Sequence, residues 1–169
     1  MILLNGKETA AAVKKEIAAK VAEMVSRGER PPHLVAVLVG DNGASKTYVA
    51  NKEKACAEVG FKSTVLTFPE TISEAELLAQ IHKLNEDDDV DGFIVQLPVP
   101  KHIDENKVIN AVSPMKDVDG FHPVNAGRMA LGEEAFLPAT PFGILLLLEH
   151  YGIETSGKHC VILGRSNIV

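Results

Sequence analysis

Leu34-Val35-Ala36-Val37-Leu38-Val39, closed by Gly40, decides the fold. An unbroken apolar run of this length, rich in branched residues, predicts a strand covered on both faces of a parallel sheet. A second such run, Phe93-Ile94-Val95-Gln96-Leu97, is stopped by Pro98 and Pro100. Between the two, residues 45–59 predict a helix ended by Gly60. Residues 61–68 are β-rich but half polar, as a strand nearer a sheet edge would be. Ser73-Glu74-Ala75-Glu76 is a capping box opening a helix whose Leu77, Leu78, Ile81 and Leu84 share a face. Strand, helix, strand, helix, strand predicts right-handed crossovers and an α/β fold, a parallel sheet between helices.

Upstream, Val13, Ile17, Val21 and Met24/Val25 recur at helical spacing and stop at Arg27-Gly28. Downstream, a short helix from about Asp104 carries Val108, Ile109 and Val112. Residues 114–138, rich in Gly, Pro, Asn and charge, read as loop with room for one short helix. Thr140-Pro141 reads as an N-cap and first helical residue of a helix reaching Tyr151, with Gly152 behind it. Cys160-Val161-Ile162-Leu163-Gly164 reads as a further buried strand running into a glycine turn. Such a strand needs edge neighbours and covering helices, so the chain is expected to stop inside a second α/β domain.

The 169 residues are 46% hydrophobic and 24% charged, which suits a globular protein rather than a disordered one. The charge sum, 17 − 23 = −6, leaves no basic stripe for nucleic acid. The purely apolar runs, such as Leu34 to Val39 and Ile144 to Leu148, are far short of the roughly 20 residues that span a bilayer, so no membrane partner is expected. Polar residues from Asn5 follow the first four at once, leaving no signal-peptide core. Cys56 and Cys160 form neither a metal spacing nor a disulfide framework. A cytoplasmic protein without a metal is the expectation.

Chemistry-bearing residues stand out in several places. Ser45, Tyr48 and Lys52 share one helix, and Tyr48 and Lys52, four apart, project from the same face. Over the carboxyl ends of the strands, a desolvated lysine there is a proton carrier; the plainer alternative is a surface lysine beside a half-buried tyrosine. Gln96 interrupts an apolar strand, and a buried amide needs a partner, either a loop carbonyl or a ligand. In Lys116-Asp117-Val118-Asp119-Gly120, a carboxylate suits a flat heterocycle with adjacent N–H donors; an Asx-turn explains the same residues. Gly164-Arg165-Ser166 after the last strand suits a phosphate, weakly on its own.

Together these stretches resemble the bifunctional methylenetetrahydrofolate dehydrogenase/methenyltetrahydrofolate cyclohydrolase family. The resemblance rests on Val39-Gly40-Asp41-Asn42 with Ser45, Tyr48 and Lys52, on residues 91–100, on Lys116 to Gly120, on Pro138-Ala139-Thr140-Pro141 with Gly143, and on residues 164–169, all in family order. It implies that Lys52 transfers protons, Tyr48 positions the folate, Gln96 hydrogen-bonds near Lys52, and Asp119 grips the aminopyrimidinone edge of the pterin. Ser45, Leu97 and Pro98 would line the substrate, and Gly164, Arg165 and Ser166 would begin an NADP site. It further implies a folate-binding catalytic domain over residues 1–139, then a linker helix and the first strand of an incomplete Rossmann-type NAD(P)-binding domain over 140–169. The implied activity is NADP-dependent oxidation of 5,10-methylenetetrahydrofolate and hydrolysis of the methenyl product to 10-formyltetrahydrofolate, with one-carbon units for uses such as purine biosynthesis. The full-length protein would be a homodimer. This piece alone is expected to show no NADP-dependent oxidation. Ala139, where many relatives have cysteine, should be harmless. The rival readings are a dehydrogenase without the hydrolytic activity and an inactive folate-binding fragment.

Overall fold

The computed structural model describes residues 3–164. Its core is a parallel sheet in which β1 (His33–Val39) lies between β2 (Lys62–Phe68) and β3 (Gly92–Val95). The most apolar run is thus central, and the half-polar one is at an edge. β2 and β3 flank β1 on opposite sides, so two right-handed crossovers put α2 (Gly43–Val59) and α3 (Glu74–Glu86) on opposite faces.

Side-chain alternation then builds two cores from the same strands. Val35, Val37, Val39, Phe93 and Val95 face Leu77, Ile81 and Leu84 of α3 and Val108 of α4 (Glu105–Ala111). Ala36, Leu38 and Ile94 face the other way, onto Val49 of α2. The capping box of α3 forms as expected, Ser73 and Glu76 each accepting from the other's backbone. Asn42 caps α2, its Oδ1 accepting from Ala44 N and Ser45 N at 3.0 and 3.1 Å. The first helix, α1 (Gly6–Ser26), packs beside α2.

Residues 116–118 extend the sheet beyond β3, with Phe93 N donating to Lys116 O at 2.9 Å. That approach requires Gly92, because a Cβ there would lie 2.3 Å from Val118 Cγ1. Lys116 Nζ reaches across to the end of α3, donating to Leu84 O at 2.9 Å and Asp87 O at 2.6 Å. A cation at a helix carboxyl end satisfies carbonyls that have no partner within the helix.

After Gly120 one expectation holds, a short helix within residues 114–138, and two do not. Residues 123–131 form α5 (Pro123–Leu131), with Pro123 in the first turn and Gly132 as a left-handed cap at φ 73°. The last helix, α6 (Ala139–His150), starts before Thr140, because the Pro138 carbonyl already accepts from Phe142 N at 3.1 Å. Thr140 is therefore not its N-cap, and Pro141 sits in the first turn, where no intrahelical donor is needed. Residues 160–164 form no strand: Ile162 and Leu163 are 85% and 95% exposed, and no ladder partner lies beside them among the described residues. A single extended segment cannot satisfy its own backbone groups. No helix among the described residues is long and apolar enough to cross a membrane.

Candidate active site

In open α/β sheets, ligands lie outside the carboxyl ends of the strands where the winding direction reverses. Here that point lies between β1 and β3. A cleft of about 830 Å³ opens there, bounded by Val39 to Asn42 on one side and Pro98 to His102 on the other. This is the size range of small-ligand sites. The Leu97-Pro98 peptide on its wall is cis.

α2 leaves the end of β1 and carries the first group of functional side chains. Ser45 is buried at 4% exposure, whereas Tyr48, at 62%, offers its ring to solvent. Lys52, one turn on, places Nζ 3.6 Å from Asp119 Oδ1, so residues 67 positions apart in sequence form one ion pair. Burial pushes the Asp119 carboxyl above the ordinary carboxylate range; Lys52 opposes that shift and the Asp117 charge adds to it. The hollow behind Asp119 is mostly apolar, lined by Phe93, Val95, Leu97, Val108 and Phe121 together with Asp117. A proton or a hydrogen-bond donor offered to Asp119 therefore meets little competition from water.

Gln96 follows β3, and alternation puts it on the Ile94 side of the sheet, the side that α2 covers. The expected hydrogen bond toward Lys52 is not formed. Gln96 Nε2 instead donates to the Leu97 carbonyl at 2.9 Å, which leaves Oε1 buried and without a hydrogen-bond partner among the described residues. An orphaned acceptor costs about 1–3 kcal/mol, so it marks a place for a donor from elsewhere.

The paired acids divide the work. Asp117, 5% exposed, accepts from Phe121 N at 3.3 Å, His122 N at 2.8 Å and Asn125 Nδ2 at 2.9 Å. These bonds reach four and five residues on rather than the two of an Asx-turn, so Asp117 is a buried anchor of the loop, and Asp119 is the one left to face Lys52. The role of Asn125 was not read from the sequence, where a lone asparagine in a stretch rich in Gly, Pro and Asn looks like loop. No group of three or more His, Cys, Asp or Glu converges among the described residues. Of the phosphate motif only Gly164 is described; Arg165 and Ser166 lie outside the described residues. Gly164 is exposed, and a Cβ built on it would meet nothing within 4 Å. The described residues therefore form no cradle for NADP.

Fold and site define a doubly wound α/β unit that pairs a lysine with a carboxylate and leaves a buried amide oxygen unpaired just after its β3 strand. Residues 4–119 match the tetrahydrofolate dehydrogenase/cyclohydrolase catalytic domain, and residues 138–169 match the NAD(P)-binding domain of the same family. The chain belongs to the tetrahydrofolate dehydrogenase/cyclohydrolase family. It is 62% identical, over its whole length, to the bifunctional protein FolD of Flavobacterium johnsoniae, of which it spans 57%. The crystal structure of the Campylobacter jejuni bifunctional FolD superposes with a TM-score of 0.96 at 49% identity, covering all of this chain and 60% of that one. The Trypanosoma brucei dehydrogenase-cyclohydrolase, solved with NADP and an inhibitor, gives 0.94 at 33% identity over 99% of this chain and 57% of its own. The chain thus spans somewhat more than half the length of the curated relatives it matches.

Proposed function

We propose that this chain is the folate-binding part of a bifunctional enzyme that oxidises 5,10-methylenetetrahydrofolate with NADP and hydrolyses the resulting methenyl compound to 10-formyltetrahydrofolate. The observation that carries the reading is the Lys52–Asp119 pair, set 3.6 Å apart beside an apolar hollow at the strand ends. A pterin presents adjacent N–H donors along its aminopyrimidinone edge, and Asp119 can accept both as parallel hydrogen bonds. Those donors favour the ionised carboxylate, offsetting the burial that disfavours it. Tyr48 stacks on the folate, Ser45, Leu97 and Pro98 line it, and Gln96 Oε1 accepts a donor near the reacting carbon.

Hydrolysis needs water to add to the cationic methenyl carbon and a ring nitrogen to leave it. Lys52 takes one proton as water adds and returns one to the departing nitrogen; the second proton of the water is released. Positioned proton transfer of this kind contributes roughly 10²–10⁴-fold. The match of residues 138–169 to the NAD(P)-binding domain, and the NADP in the Trypanosoma relative, support NADP as the hydride acceptor of the whole protein. The division near residue 139, with Gly164, Arg165 and Ser166 opening the nucleotide site, belongs to the same proposal. So do the homodimer, the cytoplasm and the supply of one-carbon units for purine biosynthesis. The cytoplasmic part is supported by two unpaired cysteines, Cys56 and Cys160.

The test follows the loss of methenyltetrahydrofolate absorbance in the full-length protein. Lys52→Met should lower hydrolysis by at least about 10²-fold. Unchanged hydrolysis in that variant overturns the role of Lys52, whereas a parent protein that never accelerates hydrolysis is a dehydrogenase without that activity.

A further inference from the structure

Asp119 does its work from a loop, and a loop side chain holds a reacting geometry only if something fixes its backbone. The chain around it is folded about a buried anion. Asp117 draws in Phe121 N and His122 N from ahead and, through Nδ2, the Asn125 side chain from α5. Asn125, 1% exposed, donates the same Nδ2 to Pro114 O at 3.0 Å, so it ties the start of the segment to its end. Gly120 N closes the inner turn on Asp117 O at 3.2 Å. Asp119 sits at the apex of this knot, pointed at Lys52.

We propose that Asp117 and Asn125 together are the positioning residues of the site: the buried Asp117–Asn125 hydrogen bond holds residues 114–125 in the one shape that sets Asp119 opposite Lys52. The proposal rests on the reading of Lys52 and Asp119 as the folate site. Neither residue touches the ligand. Both act through the place of the Asp119 carboxylate, whose charged neighbours among the described residues are Lys52 from α2 and Asp117 from its own loop.

Asn125→Ala is the discriminating variant, because it cuts the knot and leaves both carboxylates in place. Two readouts are needed, both on the 169-residue chain: affinity for 5-formyltetrahydrofolate by calorimetry, and titration of the Asp119 carboxyl by carbon-13 NMR. In Asn125→Ala, affinity should fall about tenfold, the worth of one well-placed hydrogen bond, and the Asp119 midpoint should drop toward the ordinary carboxylate range as the side chain relaxes into water. Asp117→Asn keeps an acceptor for His122 N and Asn125 Nδ2, so it should retain more affinity than Asp117→Ala. An unchanged midpoint and unchanged affinity in a folded Asn125→Ala chain overturn the proposal. Equal losses in Asp117→Asn and Asp117→Ala also overturn it, since charge alone would then be acting. If Asn125→Ala or Asp117→Ala does not fold, Asn125→Ser and Asp117→Ser replace them with the same criteria. Should the unaltered chain bind no folate, the functional reading fails, while the carboxyl titration still decides whether Asn125 holds Asp119.

Discussion

Asp119 illustrates how a group that serves binding can oppose folding. Its carboxyl is raised, mainly by burial, so the folded chain binds that proton more tightly than the unfolded chain does. Between the unfolded and folded pKa values the native state holds more protons, and stability falls as pH rises through that window. The ionised side chain is therefore a net cost at neutral pH. Asp119→Asn should make the chain more stable at neutral pH, with the gain vanishing in acid. Urea titrations at acid and neutral pH check this, and a stability difference that does not change with pH contradicts it. Asp91 has the opposite sign. The hydrogen-bonded Arg30 holds it below the usual range, so its contribution is present above the unfolded pKa and is lost as pH falls through the folded one. That these two aspartates behave oppositely was not legible in the sequence, because their partners lie at positions 52 and 30, far along the chain.

At the level of elements, reading the chain works where one local pattern suffices. The Leu34–Val39 run fixed the central strand, half-polar β2 went to the edge, and the Ser73 capping box started α3 where expected. It fails where backbone geometry or an absent neighbour decides. Pro138 starts α6 ahead of the expected Thr140 cap, and residues 160–164, apolar enough for a strand, have no ladder partner among the described residues. The site was half legible. Lys52 could be named from type and spacing and Asp119 only from the family resemblance, while the Asp117–Asn125 knot had no local pattern to announce it. Contact between β3 and the 116–118 segment gives a sharp test. Gly92→Ala should cost about 2 kcal/mol, because its methyl overlaps Val118 Cγ1, and Val118→Ala in the same chain should recover most of that loss. Thermal unfolding of the single and double variants measures both steps. A double variant no more stable than Gly92→Ala would place the strain elsewhere.

For the molecule as a whole, the net charge of −6 offers no long-range attraction to an anionic folate. Charges farther apart than about 8 Å are screened at physiological salt, so recruitment falls to groups at the crevice. Stopped-flow association of 5-formyltetrahydrofolate should change by less than about threefold between low and physiological salt, or rise slightly as repulsion is screened. A steep fall with salt would reveal a steering cationic field that the composition does not supply. The same frame gives the site two unlike walls, a helix on one side and a looped segment on the other. Gly120, at φ 68°, lies so close to the entrance of α6 that a Cβ would come 2.7 Å from Phe136 O and 2.9 Å from Pro138 N. No slack separates the peptide after Asp119 from the stem of the last helix. A displacement of that stem would press at once on the peptide that follows the carboxylate facing Lys52.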